Sequence, residues 1–128
     1  MGQCILAEHY VKAKRFVELY RRETNSLFDD VDLILTPATP EIAQPVGTVK
    51  VTRDGIPEAI GNAITRYTTF FNMTGHPALM IPCAMHSEGL PIGLQLVGRY
   101  FDERTVLRAG RMIERSDRFS IPLPIVDR

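Results

Sequence analysis

The segment between residues 72 and 98 constrains the fold of this chain more than any other. It reads Asn-Met-Thr-Gly-His-Pro-Ala-Leu-Met-Ile-Pro-Cys and, after a short gap, Gly-Leu-Pro-Ile-Gly-Leu-Gln-Leu-Val-Gly. The Gly-His-Pro sequence at 75–77 ends a helix, and the apolar run at 78–81 is typical of a strand buried on both faces. Residues 87–89 predict a turn and residues 92–97 a second strand. We therefore expect two adjacent strands joined by a loop longer than two residues.

Helical periodicity is found on both sides of this segment. Residues 5–27 are predicted to be helical, because apolar side chains recur there at alternating spacings of four and three. These are Leu6, Tyr10, Ala13, Val17 and Tyr20. A second helix is predicted to begin at Pro57, which suits a first helical position, and to end at Gly75. A third follows Asp102, a good N-cap residue.

The stretches between and after the helices predict strand and loop. Residues 31–36 read as a short buried strand, and three prolines within 37–45 then require an extended loop. Residues 46–52 predict a short edge strand or more loop. The tail at 121–126, interrupted by two prolines, predicts extended chain. Helices that alternate with strands indicate an α/β fold, with a partial sheet of three to four strands flanked by helices.

Length and composition limit the class of protein. With 128 residues, of which 45% are hydrophobic, the chain has room for a single domain, residues 1–128, with one core. The 15 basic and 15 acidic residues cancel, so nothing draws the chain to nucleic acid or to an anionic membrane. Cys4 and Cys83 do not make a disulfide framework. We expect a cytoplasmic protein in which Cys83 is a reduced, buried thiol.

Several blocks, in order, resemble the amidase signature family. The first is Asp-Leu-Ile-Leu-Thr-Pro-Ala-Thr-Pro at 32–40, and the second is Arg-Tyr-Thr-Thr-Phe-Phe-Asn-Met-Thr-Gly-His-Pro-Ala at 66–78. Ile-Pro-Cys at 81–83, the glycine-rich strand at 89–98 and Phe-Asp-Glu at 101–103 follow. The resemblance covers nearly the whole chain, and its strength lies in the order and spacing of the blocks.

The resemblance implies a mixed sheet flanked by helices and amide hydrolysis by a Ser–cis-Ser–Lys triad, with no cofactor and no metal. The lysine would act as the ultimate base, and a Gly/Ser-rich loop would supply the oxyanion donors. The serines of this chain are isolated and its lysines lie outside such a loop. These residues are Ser26, Ser87, Ser116, Ser120, Lys12, Lys14 and Lys50. We therefore expect no catalytic residue here, and a C-terminal segment of an amidase that is inactive by itself.

Two further interpretations of the function stay open at this point. The chain could be a non-catalytic module that oligomerises or binds a partner. It could also be a segment of the A subunit of a tRNA-dependent amidotransferase. Members of that subfamily usually carry an aspartate a few residues before the Asn-x-x-Gly block, where this chain has Ile-Thr-Arg-Tyr at 64–67. That departure favours a general amidase. A small amide is the expected substrate only when the chain is joined to the catalytic region.

Thr36, Phe71 and Asn72 are the predicted substrate-binding residues. On the family analogy the loop that starts at Thr36 lies near the substrate channel. Asn72, at a helix end, either caps or bridges loops, or faces the pocket. Other polar residues are assigned ordinary roles: His76 is expected to be a surface turn residue, and Arg66 to form an ion pair on the helix surface.

Association of the chain with itself is also expected. A segment taken from a larger α/β layer structure leaves apolar surface without a cover, and such surface tends to find a partner. The candidates are Leu6, Tyr10, Val17, Ile81, Leu94 and Leu96. A two-fold contact between copies is the simplest remedy, so we expect a homo-oligomer.

Overall fold

The fold is an antiparallel sheet flanked by helices, seen in a computed structural model that describes residues 2–116. After a short turn of 3-10 helix at Gly2–Cys4 the elements are, in chain order, α1 (Ala7–Leu27), β1 (Leu33–Pro37), β2 (Lys50–Arg53), β3 (Ile56–Ala59), α2 (Ile60–Thr65), α3 (Thr69–Thr74), β4 (Ala78–Met85), β5 (Pro91–Gly98) and α4 (Glu103–Glu114). The predicted α/β class is confirmed. The tail predicted to be extended, at 121–126, lies outside the described residues.

The main sheet has the strand order β1-β5-β4 and is antiparallel throughout. β4 and β5 are neighbours, as predicted, and the turn between them contains Gly89 at a positive φ of 76°. The register slips between Pro82 and Ala84, which places a bulge beside Cys83. β5 is therefore the central strand, and its last four residues, 95–98, are all buried.

The core lies where β5 meets α3 and the end of α1. Phe28, Phe71 and Val97 form its buried cluster, and Ile34 and Phe70 pack against it. The ring of Phe70 contacts Tyr20 edge-on at 6.0 Å between centroids. The core thus joins three separate parts of the chain, so the C-terminal part of α1 is held by tertiary packing.

The two halves of α1 differ in how far their apolar side chains are buried. The apolar stripe predicted from the sequence continues to Thr24, which is buried, and to Phe28 just beyond the helix. At the other end of the same stripe, Leu6 is 59% exposed and Tyr10 62% exposed. The helix is thus correctly predicted, but its stripe is covered only toward its C-terminal end.

The helix predicted from Pro57 is wrong at its start. Pro57 lies in β3, opposite Thr52 of β2, and α2 begins at Ile60. Asp54 and Gly55 connect these strands with positive φ values of 49° and 79°. An Asp-Gly pair of this kind forms the two-residue turn that matches the twist of a hairpin. The sequence carries this hairpin signal directly before the proline.

The same predicted helix is also interrupted. α2 ends at Thr65 and α3 begins at Thr69, with a turn at 66–68 between them. Threonine hydroxyls bond to backbone carbonyls here: Thr69 donates to the Thr65 carbonyl at 2.9 Å. Side chains that bond to the backbone compete with a regular helix. The predicted stop at Gly75 is confirmed, because this residue caps α3 in the left-handed conformation with φ 76°.

α4 packs on the main sheet through small and branched residues. Asp102 caps it as predicted, because its carboxylate accepts a hydrogen bond from the Thr105 amide at 3.2 Å. Hydrogen bonding by the Thr105 side chain, and secondarily by the Thr105 amide, lowers the pKa of Asp102. Val106 and Gly110 are buried, and Gly110 lies against the side chains of Leu79 and Ile81 on β4. This covers one face of β4 only, since Met80 on the opposite face is exposed. Burial of residues 78–81 on both faces, as the apolar run predicted, is therefore wrong for the described residues.

Candidate functional site

A buried amide on the central strand organises the region where the predicted site residues lie. Gln95 is 1% exposed and stands opposite Thr36 in the register of β1 and β5. Its Nε2 donates to Thr36 Oγ1 at 2.9 Å and to the carbonyl of Tyr67 at 3.2 Å. The Thr36 hydroxyl in turn donates to the Pro37 carbonyl at 3.2 Å. One side chain thus ties the end of β1 to the turn between α2 and α3.

The three predicted site residues are placed differently. Thr36 belongs to this Gln95 cluster. Asn72 is exposed on α3, one turn beyond the interrupted segment, and its backbone N–H donates to the Thr68 carbonyl at 3.0 Å. Phe71 is 9% exposed and points into the core. The structure thus puts Thr36 and the segment before Asn72 in one cluster, while Phe71 packs behind them. Their roles in contacting a substrate stay predictions.

Two open grooves flank this region. One, of about 420 Å³, lies between the loop that follows β1, helix α2 and Pro91. It is lined by Thr39, Glu41, Ile42, Ala43, Gln44, Pro45, Thr48, Ile60, Ile64 and Pro91. The other, of about 370 Å³, is lined by Arg53, Asp54, Ile56, Pro57, Glu58 and Arg66. Both are shallow, so each would need further walls to enclose a ligand.

Both arginines of the second groove are paired with carboxylates of the chain. One guanidinium nitrogen of Arg66 donates to both carboxylate oxygens of Glu58 at 2.8 and 2.7 Å, which confirms the ion pair expected for it. Arg53 donates to Glu41 at 2.8 Å. The structure therefore places a carboxylate beside Arg66, although that carboxylate is already neutralised.

His76 is not a surface residue, and that expectation is wrong. The ring is 5% exposed, stacks on Phe28 at 5.7 Å and meets Tyr100 edge-on at 5.9 Å. Its Nδ1 lies 2.9 Å from Thr74 Oγ1, and among the described residues its buried Nε2 has no partner. Burial, and secondarily the charge of Arg21, lowers the pKa of His76. The left-handed turn at Gly75 directs the ring inward, which residue type and position alone did not reveal.

The described residues do not assemble a nucleophile with a base. Ser26 donates to the Glu23 carbonyl one turn back in its own helix, and Ser87 is exposed in the β4–β5 turn. The three lysines are exposed as well. Within residues 2–116, His, Cys, Asp and Glu side chains form no group that could hold a metal ion. In the same range no helix is both long and apolar enough to cross a bilayer.

Comparison with known sequences identifies the family. The protein-family model described as Amidase matches residues 1–107. The A subunit of glutamyl-tRNA(Gln) amidotransferase from Rhodospirillum rubrum is 40% identical over 117 residues, which are 88% of this chain and 21% of that protein. The corresponding protein of Chloroflexus aggregans is 38% identical over 112 residues, 84% of this chain and 21% of the relative. The chain thus spans about a fifth of the length of the curated relatives that it matches.

Solved structures agree in fold. A crystal structure of an amidase superimposes with a TM-score of 0.81 at 32% identity, covering 88% of this chain and 26% of the other. A protein of a vestigial complex, linked to the evolutionary origins of an s-triazine catabolic enzyme, gives a TM-score of 0.83 at 30% identity over 94% of this chain and 27% of the other. The blocks that resembled the amidase signature in the sequence thus fold as they do in these proteins. The chain belongs to the amidase signature family.

Proposed function

We propose that this chain forms the C-terminal part of an amide hydrolase and works only together with a polypeptide that carries the nucleophile. In that unit it would build one wall of the substrate pocket, with Thr36 and Asn72 near the substrate and Phe71 as the packing behind them. The substrate would be a small amide, and the reaction hydrolysis of its C–N bond. No catalytic group, cofactor or metal is assigned to the chain itself.

The family match over residues 1–107 carries this proposal. It supports the chemistry of the whole unit, while the chain spans only about a fifth of its curated relatives. Within that fifth, Ser26, Ser87 and the three lysines are exposed, and Ser116 is half-buried. Acyl transfer requires a nucleophile within hydrogen-bond reach of its base and donors for the oxyanion. Those groups must therefore come from another part of the complete unit.

The A subunit of a tRNA-dependent amidotransferase is the second candidate. The curated relatives described above are such subunits, at 38–40% identity, which favours it. Against it, the position that carries a substrate-binding aspartate in those subunits falls in the segment around Arg66. The nearby carboxylate of Glu58 is engaged at both oxygens by that arginine. A paired carboxylate is a poor acceptor for the amino group of glutamine, so we favour a small amide without that group.

Complementation tests the proposal directly. The purified chain is assayed alone, and after coexpression with the remainder of an amidase of the family, against aliphatic amides, aromatic amides and glutamine. A serine-reactive probe labels the nucleophile. We expect no turnover by the chain alone, and turnover with probe labelling on the partner polypeptide after coexpression. Turnover by the chain alone would contradict the proposal, as would a folded stoichiometric complex that hydrolyses none of the amides. Preference for glutamine would select the second candidate.

We also propose that the isolated chain is a cytoplasmic homo-oligomer. Free cysteines at positions 4 and 83 support a reducing location. The support for association is the uncovered end of α1, where Leu6, Tyr10 and Phe16 are each about half exposed or more. Apolar contacts respond little to salt, in contrast to ion pairs. Light scattering at low and high salt should therefore report the same mass, above that of one chain. Addition of the complementing polypeptide should lower it, because both partners would cover the same surface.

A further inference from the structure

The interruption between α2 and α3 is also held by a hydrogen bond from the sheet. The carbonyl of Tyr67 accepts a hydrogen bond from Gln95 Nε2. In a continuous helix this carbonyl would accept from the backbone N–H four residues later. The next residues restart the helix, and the backbone N–H of Asn72 donates to the Thr68 carbonyl. The direction in which α3 leaves the turn is thus set where Gln95 holds the backbone.

Gln95 also fixes the first predicted site residue. Its second donated bond ends on Thr36 Oγ1, whose own hydrogen is used on the Pro37 carbonyl. The Thr36 hydroxyl is therefore oriented by the protein before any ligand arrives. Both Nε2 hydrogens of Gln95 are used in this way, and a side chain that is 1% exposed gains nothing from water.

A buried amide in an apolar strand is costly unless it is bonded, so its presence requires a reason. A leucine at this position would fill the same space without that requirement. Gln95 Nε2 has two hydrogens, so it can hold two acceptors, one on β1 and one on the α2–α3 turn, at a fixed separation. A leucine cannot do this. These acceptors belong to the two segments that carry Thr36, Arg66 and Asn72.

We infer that Gln95 is a positioning residue for the substrate-binding wall, setting the turn at 66–68 and the Thr36 hydroxyl relative to each other. The inference rests on the proposed amide hydrolase for its substrate and on the described bonds for its geometry. Gln95 acts through Thr36 and the α2–α3 turn and does not touch the reacting atoms. It should accordingly affect how the amide is bound more than how fast the bound amide reacts.

Substitutions separate this role from plain packing. Gln95→Met keeps the length of the side chain and removes both donors, and Gln95→Glu keeps the shape but faces two acceptors with a carboxylate. Thr36→Val removes one acceptor and leaves the Tyr67 bond, and Thr36→Ser restores the hydroxyl. Asn62→Leu is the control, because it also exchanges an amide for an apolar side chain of the same shape, while Asn62 is exposed on α2 and lines neither groove.

Hydrogen exchange of the full chain gives the first readout. In Gln95→Met we expect the amides of residues 68–72 to exchange about tenfold faster while those of β4 and β5 are unchanged, as loss of one structural hydrogen bond predicts. Thr36→Val should show a smaller effect, and Thr36→Ser and Asn62→Leu none. Unchanged exchange at 68–72, or faster exchange over the whole chain to the same degree, would overturn the inference.

The complemented enzyme gives the second readout. Gln95→Met should raise KM for a small amide about tenfold, the size of one lost interaction in binding, with kcat within about twofold of the parent. Equal KM in Gln95→Met and Asn62→Leu would overturn the inference. Failure of every complex, including the parent, to hydrolyse an amide would overturn the proposed function instead, and hydrogen exchange would then decide the positioning role alone.

Discussion

β5 and the first half of α1 are similarly rich in apolar residues, yet they end in opposite environments. The end of β5 lies between β1 and β4 and packs against α3 and α4. Leu96 is 1% exposed there. The first half of α1 extends past the core, and Tyr10 and Val11 remain exposed there, together with Ile5 and Leu6 just before the helix. Adjacent exposed apolar side chains of this kind tend to find a partner. The chain thus folds around β5 and leaves the start of α1 without a cover.

Truncation of Leu96 should have the largest effect on stability. Leu96→Ala removes a fully buried side chain in the central strand, so we expect a loss of about 2–5 kcal/mol in the free energy of unfolding. Leu6→Ala is the matched change in the other region and should cost less than about 0.5 kcal/mol in the monomer. Denaturant midpoints at low protein concentration measure both. Equal losses would break the comparison, because they would mean that the start of α1 is buried as well.

Substitution of two glycines, one beside the buried core and one in an open position, gives a second comparison of stability. A Cβ at Gly98 would collide with the Val106 side chain and lie 3.3 Å from the Asp102 carbonyl oxygen. Gly98→Ala should therefore destabilise the protein by about 1–3 kcal/mol through overpacking. At Gly61 in α2 a Cβ would meet no atom within 4 Å. Gly61→Ala should stabilise by up to about 1 kcal/mol, since alanine is the better helix former. Thermal unfolding of the two variants should shift in opposite directions, and a shared direction would contradict this packing.

Acid should weaken the covered region through His76. Because its pKa in the folded protein lies below the ordinary 6.5, the unfolded chain binds the proton more readily. The stability that depends on neutral His76 is thus fully present above pH 6.5 and is lost as the pH falls below it. One histidine can contribute a slope of at most about 1.4 kcal/mol per pH unit.

Urea unfolding between pH 5 and 7.5 tests this effect. His76→Phe should flatten the slope between about pH 5 and 6.5, where carboxylates contribute little. An unchanged slope in His76→Phe would mean that the ring is accessible to water and belongs to the surface.

The sequence predicted the regular, local features well. The periodicity of α1, the cap at Asp102 and the stop at Gly75 all follow from local rules and are all present. The adjacency of β4 and β5 also followed, because a turn with Gly89 leaves a hairpin as the simplest connection. The hairpin at Asp54 and Gly55 has a local sequence signal too. Pro57, two residues later, instead favours the start of a helix.

The remaining features depend on contacts between distant residues. At the break in the helix after Thr65, the Tyr67 carbonyl bonds to Gln95, which is 28 positions away in the sequence. The burial of His76 requires Phe28 and Tyr100 to close around it. Leu96, expected among the uncovered residues, is buried instead because β1 and β4 pair on both sides of β5. Thr36 and Asn72 could be proposed as site residues from the sequence, whereas Gln95, which bonds to Thr36 and to the Tyr67 carbonyl, could not.

Sedimentation of three forms of the chain tests most directly whether the uncovered half of α1 is an interaction surface. The forms are the parent, Leu6→Glu with Tyr10→Glu, and the control Val46→Glu with Val49→Glu, whose valines are exposed in a loop. We predict that the parent and the control sediment above the 14.4 kDa of one chain, while the α1 variant is a folded monomer of equal stability. A parent that stays a compact monomer at high concentration, with no apolar surface accessible to dye, would contradict this prediction.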